Sequence, residues 1–417
     1  MCMMKRMRIN IVFKQTTLPS TSSSPAASHK ARRTKVKAQG ADDSSMEQVS
    51  GTTTISSHEL SKESQVSSTG SSTTSLAGIK DMLSDGAIIF KLKDLSKATE
   101  NFRSARKVGT SVFRGSVHGM DVAIVVIKNP GFAAGTSSTS ITADFVAEMK
   151  NLCSVHHTNL VKLIGGCNSG SQVYLVYEFI DTGNLRQYLH SQYAPGFSAL
   201  PTWTGRLQVV LDVAKGLEYL HHHTHNAPFV HKHLKSSNIL LDSELHARIA
   251  YFGVAKIRGE TDTIRSHSIK ISGTHGYMAP EEKSGGIITP KVDVFAFGVI
   301  LLEILSGKEA VSFQIDPDTN TFKKTLLPDV IVAIFADKDP GRRLRPWMDP
   351  LLRDSAPLDC ALKTAELAKD CVNPDPELRP EMTKVSLALS KILMNSQAWE
   401  KKILAGRGVL TSTIQPR

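Results

Sequence analysis

The feature that most constrains this chain is the order in which its periodicities change. Two β-branched runs, Ser111-Val112-Phe113-Arg114-Gly115-Ser116-Val117 and Asp121-Val122-Ala123-Ile124-Val125-Val126-Ile127-Lys128, flank His118-Gly119, which is a hairpin signal. Next comes a segment at residues 144–152 whose Phe145, Met149 and Leu152 share one helical face. An alternating strand follows, Val173-Tyr174-Leu175-Val176-Tyr177-Glu178-Phe179, and then Gly183-Asn184-Leu185, a turn that opens a helix. Beyond it the pattern is mainly helical. The richest apolar stretch, residues 292–305, carries only Asp293 and Glu303 as charges and is too short for a membrane span, so it reads as a buried helix.

Composition separates an N-terminal arm from this pattern. The 417 residues carry a formal charge of +11. Nine of the basic residues (Lys5, Arg6, Arg8, Lys14, Lys30, Arg32, Arg33, Lys35, Lys37) precede the first acid, Asp42. The remainder is nearly neutral, which argues against a nucleic-acid surface on the globular part. Residues 1–84 are poor in large apolar side chains and dense in Ser and Thr from 67 to 75, and a segment of that kind cannot bury enough surface to offset its ordering entropy. They are expected to form a disordered arm, with order starting near Ile88-Ile89-Phe90 and a helix over 95–102. The acid-free first forty residues also resemble an organellar transit peptide, with Lys35-Val36-Lys37-Ala38 as a processing site. A solvated basic tail on a cytoplasmic protein is the reading preferred over plastid import. The five cysteines lack metal-ligand spacing and their odd number suits a reducing compartment.

The chemistry-bearing segment is Val230-His231-Lys232-His233-Leu234-Lys235-Ser236-Ser237-Asn238-Ile239-Leu240-Leu241-Asp242, followed by Tyr251-Phe252-Gly253. It resembles the catalytic loop H-R-D-L-x-x-x-N and the metal loop D-F-G of protein kinases, with His233 and Tyr251 at the two aspartate positions. Four further stretches are similar to the intracellular kinase domain of plant LysM-domain receptor-like kinases. They are Phe145-Val146-Ala147-Glu148-Met149-Lys150, Val155-His156-His157-Thr158-Asn159-Leu160-Val161, Gly216-Leu217-Glu218-Tyr219-Leu220-His221 and Ser306-Gly307-Lys308-Glu309-Ala310-Val311. The resemblance spans residues 88–395. It implies an α+β, two-lobed protein-kinase fold over 85–395, with a small β-rich N-lobe at about 85–180 carrying one large helix and a mainly helical C-lobe at about 181–395. Residues 396–417 are left as a tail.

The resemblance also names what is altered. In the family, a strand lysine in V-A-I-K pairs with the ATP phosphates and a helix glutamate. Counted from Gly115 without gaps, that position is Val125, while Lys128 falls on the opposite strand face and serves only if the hairpin holds an insertion. Glu148 stands at the helix-glutamate position without that partner. The phosphate loop, G-x-G-x-x-G in an active kinase, is reduced to Gly109. Tyr251 is neutral at pH 7 and a poor magnesium ligand beside a carboxylate. His233 lacks the charge that orients a substrate hydroxyl, though Lys235 and Asn238 remain at the phosphate-facing and second-metal positions. No metal site is expected. Scaffold residues are retained: Ala279-Pro280-Glu281 with Arg379 as the partner of Glu281, and Asp293 as the brace of the catalytic loop. The His221-His222-His223-Thr224-His225 cluster reads as a solvated helix end and Ile264-to-Ser272 as a mobile segment open to phosphorylation. Tyr188, Tyr193, Trp203 and Trp347 read as core or lobe-surface aromatics.

The expectation is therefore a pseudokinase, inactive or very weak, that works by binding an active receptor-like kinase or its substrate. The alternative is an active Ser/Thr kinase using ATP and magnesium, with Lys128 replacing the strand lysine. A third, a basic-arm tether to nucleic acid or anionic membrane, is disfavoured.

Overall fold

The computed structural model describes residues 86–128, 138–190, 200, 202–222, 228–258, 275–315 and 322–411. The expected arm over 1–84, Tyr193, His223 and His225, and the 264–272 segment lie outside them. A six-stranded sheet forms the N-terminal part, in the order β1-β5-β6-β4-β3-β2. Its strands are β1 (Ile88–Ile89), β2 (Lys107–Gly109), β3 (Val112–Val117), β4 (Met120–Lys128), β5 (Leu163–Ser169) and β6 (Gln172–Glu178).

The β3–β4 hairpin turns on His118 and Gly119, whose φ values of 50° and 79° are both positive, the twist-matched two-residue turn that His-Gly permits. Its pairing is ungapped, with Gly115 opposite Val122 and Val112 opposite Val125. The strand period of two divides β4 between two cores. Val122 and Ile124 pack outward with Phe90, Leu95 and Val176, beneath helix α1 (Leu92–Ala98). Val125 and Ile127 face inward with Phe145, Met149 and Leu152 of helix α2 (Ser138–Cys153). Helix α1 lies N-terminal of the 95–102 expected, starting at Leu92 and stopping at Ala98, because Glu100, Asn101 and Phe102 all take positive φ and close a tight turn instead.

The C-terminal part is built on α4 (Trp203–His222) and α7 (Lys291–Ser306), with α3 (Leu185–Leu189), α5 (Val254–Ile257) and α6 (Pro280–Lys283) placing the loops around the cleft. Asn184 opens α3 through a capping box with Gln187, as its turn sequence implied. Every residue of α7 after the first is buried, so its two carboxylates must be satisfied internally. Arg206 of α4, fully buried, donates to the carbonyls of Leu200 and Ile304 and to Asp349 Oδ2 at 2.6 Å. After a hairpin of β9 (Val311–Ile315) and β10 (Phe322–Leu326) come α8 (Leu327–Phe335), α9 (Pro340–Trp347), α10 (Leu358–Cys371) and α11 (Met382–Thr411). Helix α11 runs straight across the tail boundary expected at residue 395. Its Ser396 is buried and accepts from Trp203 Nε1 at 2.8 Å, and Glu400 accepts from Thr204, so packing on α4 extends the helix beyond that point.

Candidate functional site

The cleft lies between β4 and the loop that links α4 to the short ladder of β7 (Ile239–Leu241) and β8 (Ala247–Ile249). Asp293 holds that loop. Its Oδ2 accepts from the backbone of His231 at 2.8 Å and from His221 Nε2 at 3.0 Å, and its Oδ1 accepts from the backbone of Lys232 at 2.7 Å. These contacts fix Lys232 at φ 62°, a conformation that costs a side-chain-bearing residue about 1–2 kcal/mol and persists only because the carboxylate over-determines it. His231 donates from Nε2 to the Ala250 carbonyl at 2.9 Å, which leaves Nδ1 to accept from the His233 backbone at 3.2 Å. Burial pushes its pKa down, so it is a neutral structural imidazole.

His233 follows at the position where the family carries its base. Its carbonyl accepts from Asn238 Nδ2 at 2.7 Å, and the Asn238 carbonyl accepts from the Ala250 backbone. Asn238 thus stitches the catalytic loop to the start of the metal loop with its amide nitrogen and backbone. Lys235 is half-buried, its pKa lowered by burial and by the nearby Arg186 charge.

Tyr251 occupies the metal-loop position at φ 68°. Its ring is mostly buried, stands edge-on to Tyr177 with centroids 6.3 Å apart, and its phenol is pushed up in pKa by burial. A neutral, desolvated phenol offers magnesium no charged oxygen. Beside it Phe252 is fully buried against Tyr177 and Phe229, and its carbonyl accepts from Tyr177 Oη at 2.6 Å.

On the opposite wall, Val125 faces α2 with 5% of its surface exposed, at the place ungapped counting assigns to the phosphate-binding lysine. Lys128 shares its strand parity with Val126 and Ile124 of the outward core and is exposed at the strand end, opposite Gln172. Glu148 of α2 meets a different cation, Lys256 of α5, with Nζ 3.2 Å from Oε1. The expectation that Glu148 lacks the V-A-I-K partner therefore resolves into a pair with the segment after Gly253. Strands β2 and β3 are joined through Thr110 and Ser111 alone, with Gly109 opposite Val112, so the turn above the cleft is two residues long and has no room for a glycine-rich tip.

The residues at hand do not fit a magnesium-nucleotide complex of the family's kind: the strand lysine position is apolar and the metal position is a phenol. The scaffold, by contrast, is complete. Arg379 donates to both oxygens of Glu281, at 2.6 and 2.7 Å, and to the carbonyls of Asn373, Lys291 and Pro374, with its guanidinium over the Phe295 ring.

One reading is corrected. His221 is not part of a solvated helix end: it is buried and bonded to Asp293, and only His222 of that cluster is partly exposed among the described residues. The signal was present in the spacing, since Leu217, Leu220 and His221 share a helical face with Val213. The Glu148–Lys256 pair carried no comparable signal, because its two halves come from elements 108 positions apart in order and only the packing of α2 on the metal loop joins them.

A family model described as protein tyrosine and serine/threonine kinase matches residues 107–389. The chain belongs to that family, and its curated relatives include plant LysM receptor-like kinases. It is 36% identical over 353 residues to LysM domain receptor-like kinase 3 of Arabidopsis thaliana, covering 82% of this chain and 53% of that protein. It is 40% identical over 312 residues to LysM domain receptor-like kinase 10 of Oryza sativa subsp. japonica, covering 74% and 49%. The chain spans about half the length of these relatives. Among solved structures, the pseudokinase domain of BIR2, an immune regulator of the RLK/Pelle family, matches with a TM-score of 0.57 at 24% identity, covering 76% of this chain and 92% of that one, which establishes the shared fold. No helix among the described residues is long and apolar enough to cross a membrane.

Proposed function

We propose that this chain is a pseudokinase: a receptor-like kinase relative that does not transfer phosphate and acts by binding an active receptor-like kinase or that kinase's substrate. The observation that carries this is Val125, buried against α2 where the family's phosphate-binding lysine would stand, with Glu148 turned to Lys256 instead. Tyr251 at the metal position and His233 at the base position support it. Each missing electrostatic element is worth about 3 kcal/mol, so three of them amount to about 9 kcal/mol, or six to seven decades in rate. The contributions are not additive, and a loss of that order still removes a typical kinase turnover from view. What remains is a large-lobe frame stiffened by Asp293 and the Glu281–Arg379 pair, which suits a docking surface. In this reading the kinase-like domain works in the cytoplasm alongside receptor kinase domains.

The test is a thermal-shift titration of the full chain with ATP, with and without magnesium. A ligand that binds the native state at a hundred times its Kd stabilises it by about 2.7 kcal/mol. No shift at millimolar nucleotide is the expected result. A magnesium-dependent rise in Tm, followed by transfer of labelled phosphate to a protein hydroxyl, overturns the reading in favour of an active Ser/Thr kinase.

A further inference from the structure

Three side chains converge where the ends of α3 and α7 meet, and the cleft chemistry uses none of them. His190 follows α3, Glu303 lies in the last turn of α7, and Glu309 lies just beyond Gly307. One ligand atom from each is within 4.8 Å of the others. Glu303 is fully buried. Its Oε1 stands 3.3 Å from His190 Nε2 and accepts from Ser236 Oγ at 3.1 Å. Its Oε2, equally buried, makes no well-formed hydrogen bond, although the Tyr277 hydroxyl, 2.9 Å from Ser236 Oγ, also lies beside this carboxylate.

The histidine sharpens the problem. His190 Nδ1 is 3.2 Å from the Gly307 carbonyl, which can only accept, so the proton of a neutral ring belongs on Nδ1. Nε2 then turns a lone pair toward a carboxylate oxygen. Two electron-rich atoms at that distance need a cation between them. A proton meets the His190–Glu303 contact alone. A metal ion meets it together with the bare oxygen of Glu303 and the carboxylate of Glu309.

We infer that His190, Glu303 and Glu309 form a zinc site that ties the end of α3 to the end of α7. An imidazole bonded through its other nitrogen to a backbone carbonyl is the arrangement that orients a metal-ligating histidine. One nitrogen and two carboxylate donors suit Zn²⁺ with water as fourth ligand, whereas magnesium and calcium favour all-oxygen sets. At metal–ligand distances of about 2.1 Å, tetrahedral ligand atoms lie about 3.4 Å apart, close to the 3.3 Å between His190 and Glu303. Glu309 has to move inward. It now accepts from Arg186 Nε at 3.1 Å and Nη2 at 2.7 Å, a pair about half-exposed on both sides and cheap to break. Arg186 is thus a competitor for the metal, holding Glu309 out.

The experiment is isothermal titration of the full chain, stripped by chelator, with Zn²⁺, and with Co²⁺ as a spectroscopic probe. The expected result is one equivalent that persists when His222, His223 and His225 are all changed to Asn, with Co²⁺ giving the visible absorption of a tetrahedral site. Glu309→Gln is expected to lose tenfold or more in affinity, since even the outer partners of metal ligands are worth about ten- to a hundredfold. Glu309 is exposed enough that this variant folds normally, which its unzinced Tm verifies. Arg186→Gln is expected to tighten binding roughly two- to fivefold by freeing Glu309. The inference is overturned if no equivalent binds, if Glu309→Gln and His190→Gln both retain it unchanged, or if Arg186→Gln weakens it.

Discussion

Exchanging Lys128 and Val125 in turn separates the two accounts of the cleft. Lys128 is exposed at the end of β4 on the outward face, so Lys128→Met removes a solvated charge. Surface changes of that kind stay within about 0.5 kcal/mol. Val125 is in the inward core beside Met149 and Leu152. Val125→Lys forfeits the burial of the valine, worth about 1.5–3 kcal/mol, and brings an ammonium into an apolar site while Glu148 of α2 already has Lys256 at 3.2 Å. The stem of the new side chain re-covers part of that surface, while desolvation of its charge adds to the cost, so the expected loss is about 2–4 kcal/mol. At about 2 °C per kcal/mol for a domain of this size, Tm falls by about 4–8 °C for Val125→Lys and by about 1 °C or less for Lys128→Met. Urea denaturation at constant slope gives the same ranking as free energies. The reasoning is refuted if Lys128→Met destabilises as much as Val125→Lys, or if it abolishes a nucleotide-induced rise in Tm that the parent shows. Either result would mean that Lys128 reaches into the cleft and that the ungapped pairing of β3 with β4 misplaces it.

Other perturbations probe the frame and the metal loop. Arg379→Ala is expected to cost about 3–5 kcal/mol, since it strands Glu281 and three backbone carbonyls, and Arg379→Lys should recover less than half, because a point charge cannot reproduce the fork; chemical denaturation measures both. Tyr177→Phe removes the donor to the buried Phe252 carbonyl, with an expected cost of about 1–3 kcal/mol and faster amide exchange through Tyr251-Phe252-Gly253, whereas unchanged exchange would mean that bond holds nothing. Stability should fall as pH drops below about 6.5, by up to about 1.4 kcal/mol per pH unit, because the unfolded chain takes up a proton that buried His231 refuses. Glu282 acts with the opposite sign: burial raises its pKa to about 7, so the folded state keeps a proton that the unfolded chain releases above its ordinary carboxylate range, and stability drains away as pH rises to about 7. Glu282→Gln preserves the acceptor for the Ala279 amide and is expected to gain about 2 kcal/mol at pH 8, with no gain at pH 4, in thermal melts across that range.

Much of this could be read along the chain because the signals were local. His118-Gly119 demanded a two-residue turn, Gly183-Asn184-Leu185 spelled a turn that opens a helix, and the spacing of Phe145, Met149 and Leu152 oriented α2. Motif order likewise located Val125, His233 and Tyr251, since each is defined by its neighbours in sequence. The end of helix α1 is not legible because the apolar spacing continues through Phe102, and only the left-handed turn at Glu100 to Phe102 shows where it stops. Residues 396–417 read as a tail because nothing near them in sequence says that Trp203 bonds to Ser396.

By itself, then, the amino-acid order supplied the registers on which Val125, His233 and Tyr251 are proposed to stand in place of a lysine and two carboxylates, because strand parity and motif register are counted in residues. Only the tertiary structure decided which side chains meet: Glu148 with Lys256, Tyr251 on Tyr177, His221 on Asp293, and His190 with Glu303 and Glu309. Those partners are remote in sequence. Which charge answers which is set by desolvation and by the packing of whole elements, and no local pattern records it.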